Sequence, residues 1–398
     1  MRRVFLLVAL AALPLVLAHA AAGTSAGGGA AVASPLAPAK RCTSGFVRAV
    51  IGGTHTCLKP GQRCNRRLDR QYHRYGFHCH SGRLIRRLPP ASPPPPPPPP
   101  PLSGVVASIP APGDGTLEAT EDAVWAVSMG DGETRFLRID PRTNAVVATV
   151  LGGSPPSRGG YYGIGISSSA VWLSSHWDPD MVSRVDPNTN AVVAEIAVGD
   201  DPEGIAVTSD AIWVANHRGG SVSRIDPATN QIVATVPVGP SGPSGPHDIF
   251  AAAGSIWVGV PNLRSVVRID PRSNTAVARI QAPGGACRIL AGNDDGVWVA
   301  GGSCGGALDH IDPRTNTVVA TLRMPELGGE AAGIAFGFGS VWVAVRAAPG
   351  GYLVRVDPLT NKVVQRFRTQ GLPQAVAVAG GSLWLREVDR VLRIIPSS

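Results

Sequence analysis

Six times between residues 139 and 361 the chain repeats a branched residue, Asp-Pro, a variable residue, Thr or Ser, and Asn. The units are Ile139–Asn144, Val185–Asn190, Ile225–Asn230, Ile269–Asn274, Ile311–Asn316 and Val356–Asn361. Their aspartates, Asp140, Asp186, Asp226, Asp270, Asp312 and Asp357, lie 46, 40, 44, 42 and 45 residues apart. A tryptophan stands 13–15 residues ahead of each: Trp125, Trp172, Trp213, Trp257, Trp298 and Trp342. Around Asp226, Val222, Arg224 and Asp226 alternate with Ser223 and Ile225, and Ile232–Val236 forms a β-branched run. Proline presets a turn φ and asparagine tolerates the left-handed region, so each unit reads as a hairpin between two strands. Repeats of this length with four strand-like runs apiece predict propeller blades.

The count of blades follows from the tryptophans. Trp384 holds the same phase but has no Asp-Pro-x-Thr-Asn turn behind it, so there are seven inner hairpins and six complete outer ones. In the third blade the expected strands are Gly204–Thr208 (A), Ala211–Ala215 (B), Val222–Asp226 (C) and Gln231–Val236 (D). The last blade offers Ala375–Val378, Leu383–Arg386 and Val391–Ile395 and then the chain ends. Its missing strand is available at the front, where Gly104–Ile109 (GVVASI) resembles AVVATV. The expectation is an all-β chain: a seven-bladed propeller of four-stranded blades over 102–398, closed by its N- and C-terminal strands.

What precedes the propeller differs in composition. Residues 1–101 carry 14 Lys and Arg against one acid, Asp69, whereas the remaining 297 carry 22 against 27. Polyanion binding therefore belongs to the head, and the acidic body argues against a nucleic-acid partner. Residues 1–20 read as an export leader: Arg2-Arg3, the apolar run Val4–Leu17, then Ala18-His19-Ala20. That run is 14 residues long, short of the roughly 20 that a spanning helix needs. The mature chain is thus expected to be extracytoplasmic, without a membrane span, and monomeric. A small-residue linker, 21–39, leads into a basic module at 40–88. A polyproline spacer, 89–101, with nine consecutive prolines at Pro93–Pro101, follows it.

The module holds Cys42, Cys57, Cys64 and Cys79. In an oxidising compartment these read as two disulfides, with three pairings open. Zinc is the rival because of His78-Cys79-His80, but no CxxC knuckle is present and twelve basic residues surround it. Arg66, Arg67, Arg70 and Arg74 interleave with Tyr72 and Tyr75, the material of a surface for an anionic polymer. In the propeller, Cys287 starts strand A of blade five and Cys304 follows strand B, so these two are expected to form a third disulfide.

The pattern WVAN…RIDPxTNxVVATVxVGxxPxGIAV resembles the YVTN-type β-propeller repeats and, more loosely, the streptogramin-lyase-like propellers, over about Gly104–Pro396. The cysteine module is similar to short modules of secreted actinobacterial proteins. The lyase resemblance implies magnesium, with histidine and glutamate at the blade entries. Here Pro246-His247 matches such an entry, Pro202-Glu203 and Pro373-Gln374 lack the histidine, and only Glu387 keeps an acid after the tryptophan.

Hairpin turns that scarcely vary suit a scaffold, so ligand contacts are expected at the other end, where the D–A and B–C loops differ. Counting from the tryptophans brings Tyr162, His176, Glu203, Asn216, His217, His247, Asp248, Gln374 and Glu387 towards one mouth. Trp177 stands in a variable loop beside His176. The preferred reading is a secreted, non-enzymatic propeller, without a cofactor, that binds a protein or cell-envelope ligand through this face. The alternative is a lyase with a divalent metal such as magnesium. The tryptophan ring itself is expected to be core packing.

Overall fold

The computed structural model describes residues 42–86, 98–130, 133–151, 161–175, 180–286, 289–301, 306–323 and 327–396. Residues 1–41, which include the expected leader and small-residue linker, residues 87–97, and Cys287 and Cys304 lie outside them. The chain divides into two units at Pro96 and Pro97.

The second unit is a seven-bladed propeller of seven four-stranded antiparallel sheets. Blade three runs Pro202–Val207, Ile212–Asn216, Ser221–Asp226 and Gln231–Pro237, within one or two residues of the expected bounds. The seventh blade takes Pro373–Ala379, Ser382–Glu387 and Arg390–Ile394 from the C-terminus and Val105–Pro110 from the front. Val391 pairs with Ile109 and Leu392 with Ser108. Leu102 N–H and Arg368 N–H bond Arg368 O and Pro100 O at 2.8 Å, so the end of the proline run is tied to blade six.

Why the motif repeats is visible in the turns. Each Asn adopts the left-handed region, with φ between 55° and 58°. Each Asp accepts a hydrogen bond from the backbone N–H two residues on, at 2.8–2.9 Å. Hydroxyls at the next position, such as Thr229 at 2.9 Å and Thr360 at 2.7 Å, bond the other oxygen.

The tryptophans are core. All seven are at most 2 % exposed, and Trp213 packs with Ile249, Ile256 and Val258 of the following blade. On strand C, directly across from each tryptophan, stands an arginine or, in blade five, His310. Arg138, Arg184, Arg224, Arg268, Arg355 and Arg393 lie 5.1–6.0 Å from the ring centroids. His310 stacks on Trp298 at 4.1 Å.

A register shift follows each of these residues on strand C. Such a bulge re-aims a side chain. The guanidinium then reaches the next blade's turn: Arg224 donates to Pro271 O at 3.0 Å and Asn274 Oδ1 at 2.8 Å. Arg138, Arg184, Arg268 and Arg393 make the same pair of bonds to Pro187 and Asn190, Pro227 and Asn230, Pro313 and Asn316, and Pro141 and Asn144. His310 bonds Asn361 Oδ1 at 2.7 Å. The motif is therefore an inter-blade clamp: Asn closes its own hairpin and bonds the previous blade's arginine or, at Asn361, its histidine.

Backbone N–H bonds hold Asp140, Asp186, Asp226, Asp270 and Asp312 below the ordinary carboxylate range, and the Thr360 hydroxyl does the same first for Asp357. A carboxylate with a depressed folded pKa stabilises the fold above its unfolded value of about 3.9, and that contribution fades as pH falls through the folded value. The contribution of the turns to the melting midpoint should hold steady from pH 7 to about 5 and be lost steeply below about 4. A midpoint unchanged at pH 3 would contradict this account of the turns.

In the first unit the pairings are Cys42–Cys57 and Cys64–Cys79, each spanning 15 residues. Hairpins Val47–Ile51/Thr54–Leu58 and Phe77–His80/Arg83–Arg86 flank a short helix, Asp69–His73. Ala49, Leu58, Tyr72, Phe77 and Leu84 form its core. Tyr72 is thus a packing residue, 6 % exposed, with its hydroxyl accepting from Asn65 N–H at 3.3 Å. Tyr75 accepts from Val50 N–H at 3.1 Å. Arg66, Arg67, Arg70 and Arg74 are exposed. The expected interleaving therefore resolves into a buried ring and a solvated cationic surface.

Candidate functional site

Among the described residues, the inner strands of blades one to four, six and seven line a central cavity of about 660 Å³. Asp114, Glu118, Glu203, His247, Asp248, Phe250, Arg346 and Gln374 are among its lining residues.

Glu203 and His247 meet: Glu203 Oε2 lies 2.8 Å from His247 Nε2, with side chains 7 % and 17 % exposed. His217 stands edge-on to His247, their centroids 5.3 Å apart. The two nitrogens of His217 face Pro246 O at 3.2 Å and Pro243 O at 3.1 Å. Asp201 joins this group, 4 % exposed, 3.4 Å from Arg218 Nε, and its backbone φ is 61°.

Gln374 donates to Asp114 Oδ1 at 2.9 Å and accepts from Arg346, whose Nε also donates to Pro373 O at 3.1 Å. Asp248 accepts from Ile249 N–H at 3.0 Å.

Two of the expected residues are brought elsewhere. Asn216 is fully buried and spends its amide on Ser221 and Ser223, at 3.0 and 2.9 Å. Glu387 is 1 % exposed, held by Arg390 Nε at 2.7 Å and Gly371 N–H at 3.1 Å. Both tie blade strands together rather than line the cavity. Tyr162 lies in the strand Tyr161–Ile166 with its side chain outside the described part, and His176 and Trp177 lie wholly outside it.

The channel holds an acid that counting loop edges does not find. Glu118 stands seven residues before Trp125, directly across the sheet from it. At that position the other blades carry Gly165, Ala206, Phe250, Ala291, Ala335 and Ala377. One carboxylate and one ring among small residues was the available signal. Glu118 is solvent-exposed and lines the channel. Partial desolvation among the ring of strands, together with the charge of Asp248, pushes its carboxyl up to about 7.

A divalent metal would need a converging set of donors at this mouth. Asp201, Glu203 and His217 offer donor atoms within 4.8 Å of one another. Each ring nitrogen of His217, however, faces a carbonyl that wants an N–H, and Arg218 already neutralises Asp201. A magnesium ion prefers oxygens and water. The donor set does not fit a resident magnesium.

No protein-family model matches the chain, and no curated protein matches it. Solved structures do. The β-propeller domain of Myceliophteria thermophila Cps50 (Swd1) is 11 % identical with a TM-score of 0.59, covering 74 % of this chain and 99 % of that one. The Neurospora crassa Pan2 WD40 domain is 15 % identical at 0.58, covering 72 % and 90 %. A chain of the mitotic checkpoint complex is 12 % identical at 0.62, covering 74 % and 96 %. At these identities the likeness is one of architecture, and the chain carries a seven-bladed β-propeller with a disulfide-linked module ahead of it.

Proposed function

We propose that the protein is a secreted, non-enzymatic binding propeller of the YVTN-type repeat class. Its loop face takes a protein partner and receives that partner's lysine or arginine side chain in the channel mouth. The lining carries this reading. Asp114, Glu118, Glu203 and Asp248 share the lining with one arginine, Arg346, which is engaged by Gln374, and with His247, which is engaged by Glu203. An entering cation would lie near Glu118 and Asp248 and offset the desolvation and the neighbouring Asp248 charge that raise the Glu118 carboxyl. The exposed arginines of the head extend the proposal: they hold the exported chain to anionic envelope polymer through charge. The lyase alternative rests on the Glu203–His247 contact, and it lacks a donor set suited to the metal.

Titration calorimetry with an arginine-bearing tripeptide amide and its glutamine counterpart tests the reading. Binding is expected for the arginine peptide alone, weakened at least about tenfold in Glu118→Gln/Asp248→Asn, the loss of one favourable charge contact. Equal binding of both peptides, or unchanged affinity in the variant, would overturn it.

A further inference from the structure

Within the cysteine module, His78 converges on one point with two side chains the sequence reading did not group with it, Asp69 and His73. Asp69 Oδ2 lies 3.0 Å from His73 Nε2 and 2.9 Å from His78 Nδ1, and the two nitrogens are 3.2 Å apart. We propose that Asp69, His73 and His78 form a binding site for a divalent transition-metal ion of the zinc class, apart from the loop face and independent of the reading given for it.

The geometry is awkward for hydrogen bonding alone. To bond the same carboxylate oxygen, each ring nitrogen must carry a proton, and the two N–H groups would then crowd each other across 3.2 Å. With an ion at the centre, all three atoms present lone pairs to it. A tetrahedral zinc with ligands at roughly 2.0–2.1 Å spaces its donors roughly 3.3–3.4 Å apart, a small expansion of the observed triangle. Two imidazoles and one carboxylate suit zinc, copper or nickel better than magnesium or calcium. Three protein ligands leave a fourth position to water.

The surroundings hold the donors in place. Asp69 and His73 stand one turn apart on the helix Asp69–His73, which puts them on one face. The second oxygen of Asp69 accepts from Cys79 N–H at 2.6 Å, so the first is aimed at the imidazoles. Cys79 is bonded to Cys64, which anchors the strand bearing His78. His73, His78 and Asp69 are 33 %, 41 % and 22 % exposed, enough for an ion to enter. Arg70 and Arg74 are exposed, so water and salt damp their repulsion of an ion. The cysteines serve the site as its frame, whereas the histidines supply the ligands.

Titration of the mature chain with cobalt(II) tests this, followed by its visible ligand-field bands and by zinc competition. One equivalent should bind with a four- or five-coordinate spectrum that zinc bleaches. The signal should vanish in His73→Gln/His78→Gln, whose intact disulfides are checked by mass, and persist in His217→Gln/His247→Gln. Absence of saturable binding to the unaltered chain, retention in the head variant, or loss in the loop-face variant would each overturn the assignment.

Discussion

Trp213→Ala should lower stability by about 3–5 kcal/mol, the range for emptying a buried aromatic site. The indole is 0 % exposed and lies in the cluster that joins blades three and four. Its loss leaves Val258 and Ile249 facing a void that a ring of rigid sheets cannot collapse to fill. It also removes the platform on which Arg224 lies at 5.2 Å, so the clamp on Pro271 and Asn274 loses its alignment. Combining Trp213→Ala with Arg224→Ala should therefore cost less than the two single changes added together. Denaturant unfolding of the three variants measures this. Strict additivity, or a loss for Trp213→Ala below about 1 kcal/mol, would show that the seam does not depend on the indole.

Ile109→Asp should be as damaging by a different route. Ile109 is 4 % exposed in the strand borrowed from the front of the chain, packed beside Leu117, Trp384 and Val391. A carboxylate there is forced into an apolar cluster, and its desolvation costs several kcal/mol. The strand would detach and leave Arg390–Ile394 as an open edge, prone to pair with other chains. Light scattering should then show self-association alongside the lowered melting midpoint. Val106→Asp on the same strand is the control: Val106 is 51 % exposed, and its effect should stay within about 0.5 kcal/mol. Equal damage from both variants would mean that the strand's sequence, rather than its buried face, governs closure.

Much of this architecture was legible because a blade is a local object. The tryptophan phase, the left-handed Asn and the borrowed strand each follow from residues near one another or from a missing partner at the chain's end. The clamp was in view but not readable, since Arg224 finds Asn274 50 positions away, and alternation alone marks arginine as a polar-face residue. Disulfide pairing was open for a simpler reason: several pairings suit four cysteines on a short chain, and contacts decide among them. At the mouth, counting from the tryptophans set Glu203 and His247 on the same ring of strand starts, and the structure brings the two into contact. It failed for Asn216 and Glu387 because register does not show whether a polar group meets water or a neighbouring strand. Glu118 was missed because a channel exists only once the ring has closed.

The clamp is directional, and that bears on how such a chain can lengthen. Each complete blade carries both halves of the device, an arginine or histidine to give and a Pro-x-x-Asn turn to receive. A duplicated blade therefore arrives able to grip its successor and be gripped by its predecessor, with no redesign of either seam. The seventh blade breaks this rule, since its outer hairpin is split between the two ends of the chain and offers Arg355 no such turn. Copying is thus easiest anywhere but at that junction, which fits six near-identical motifs followed by one that departs.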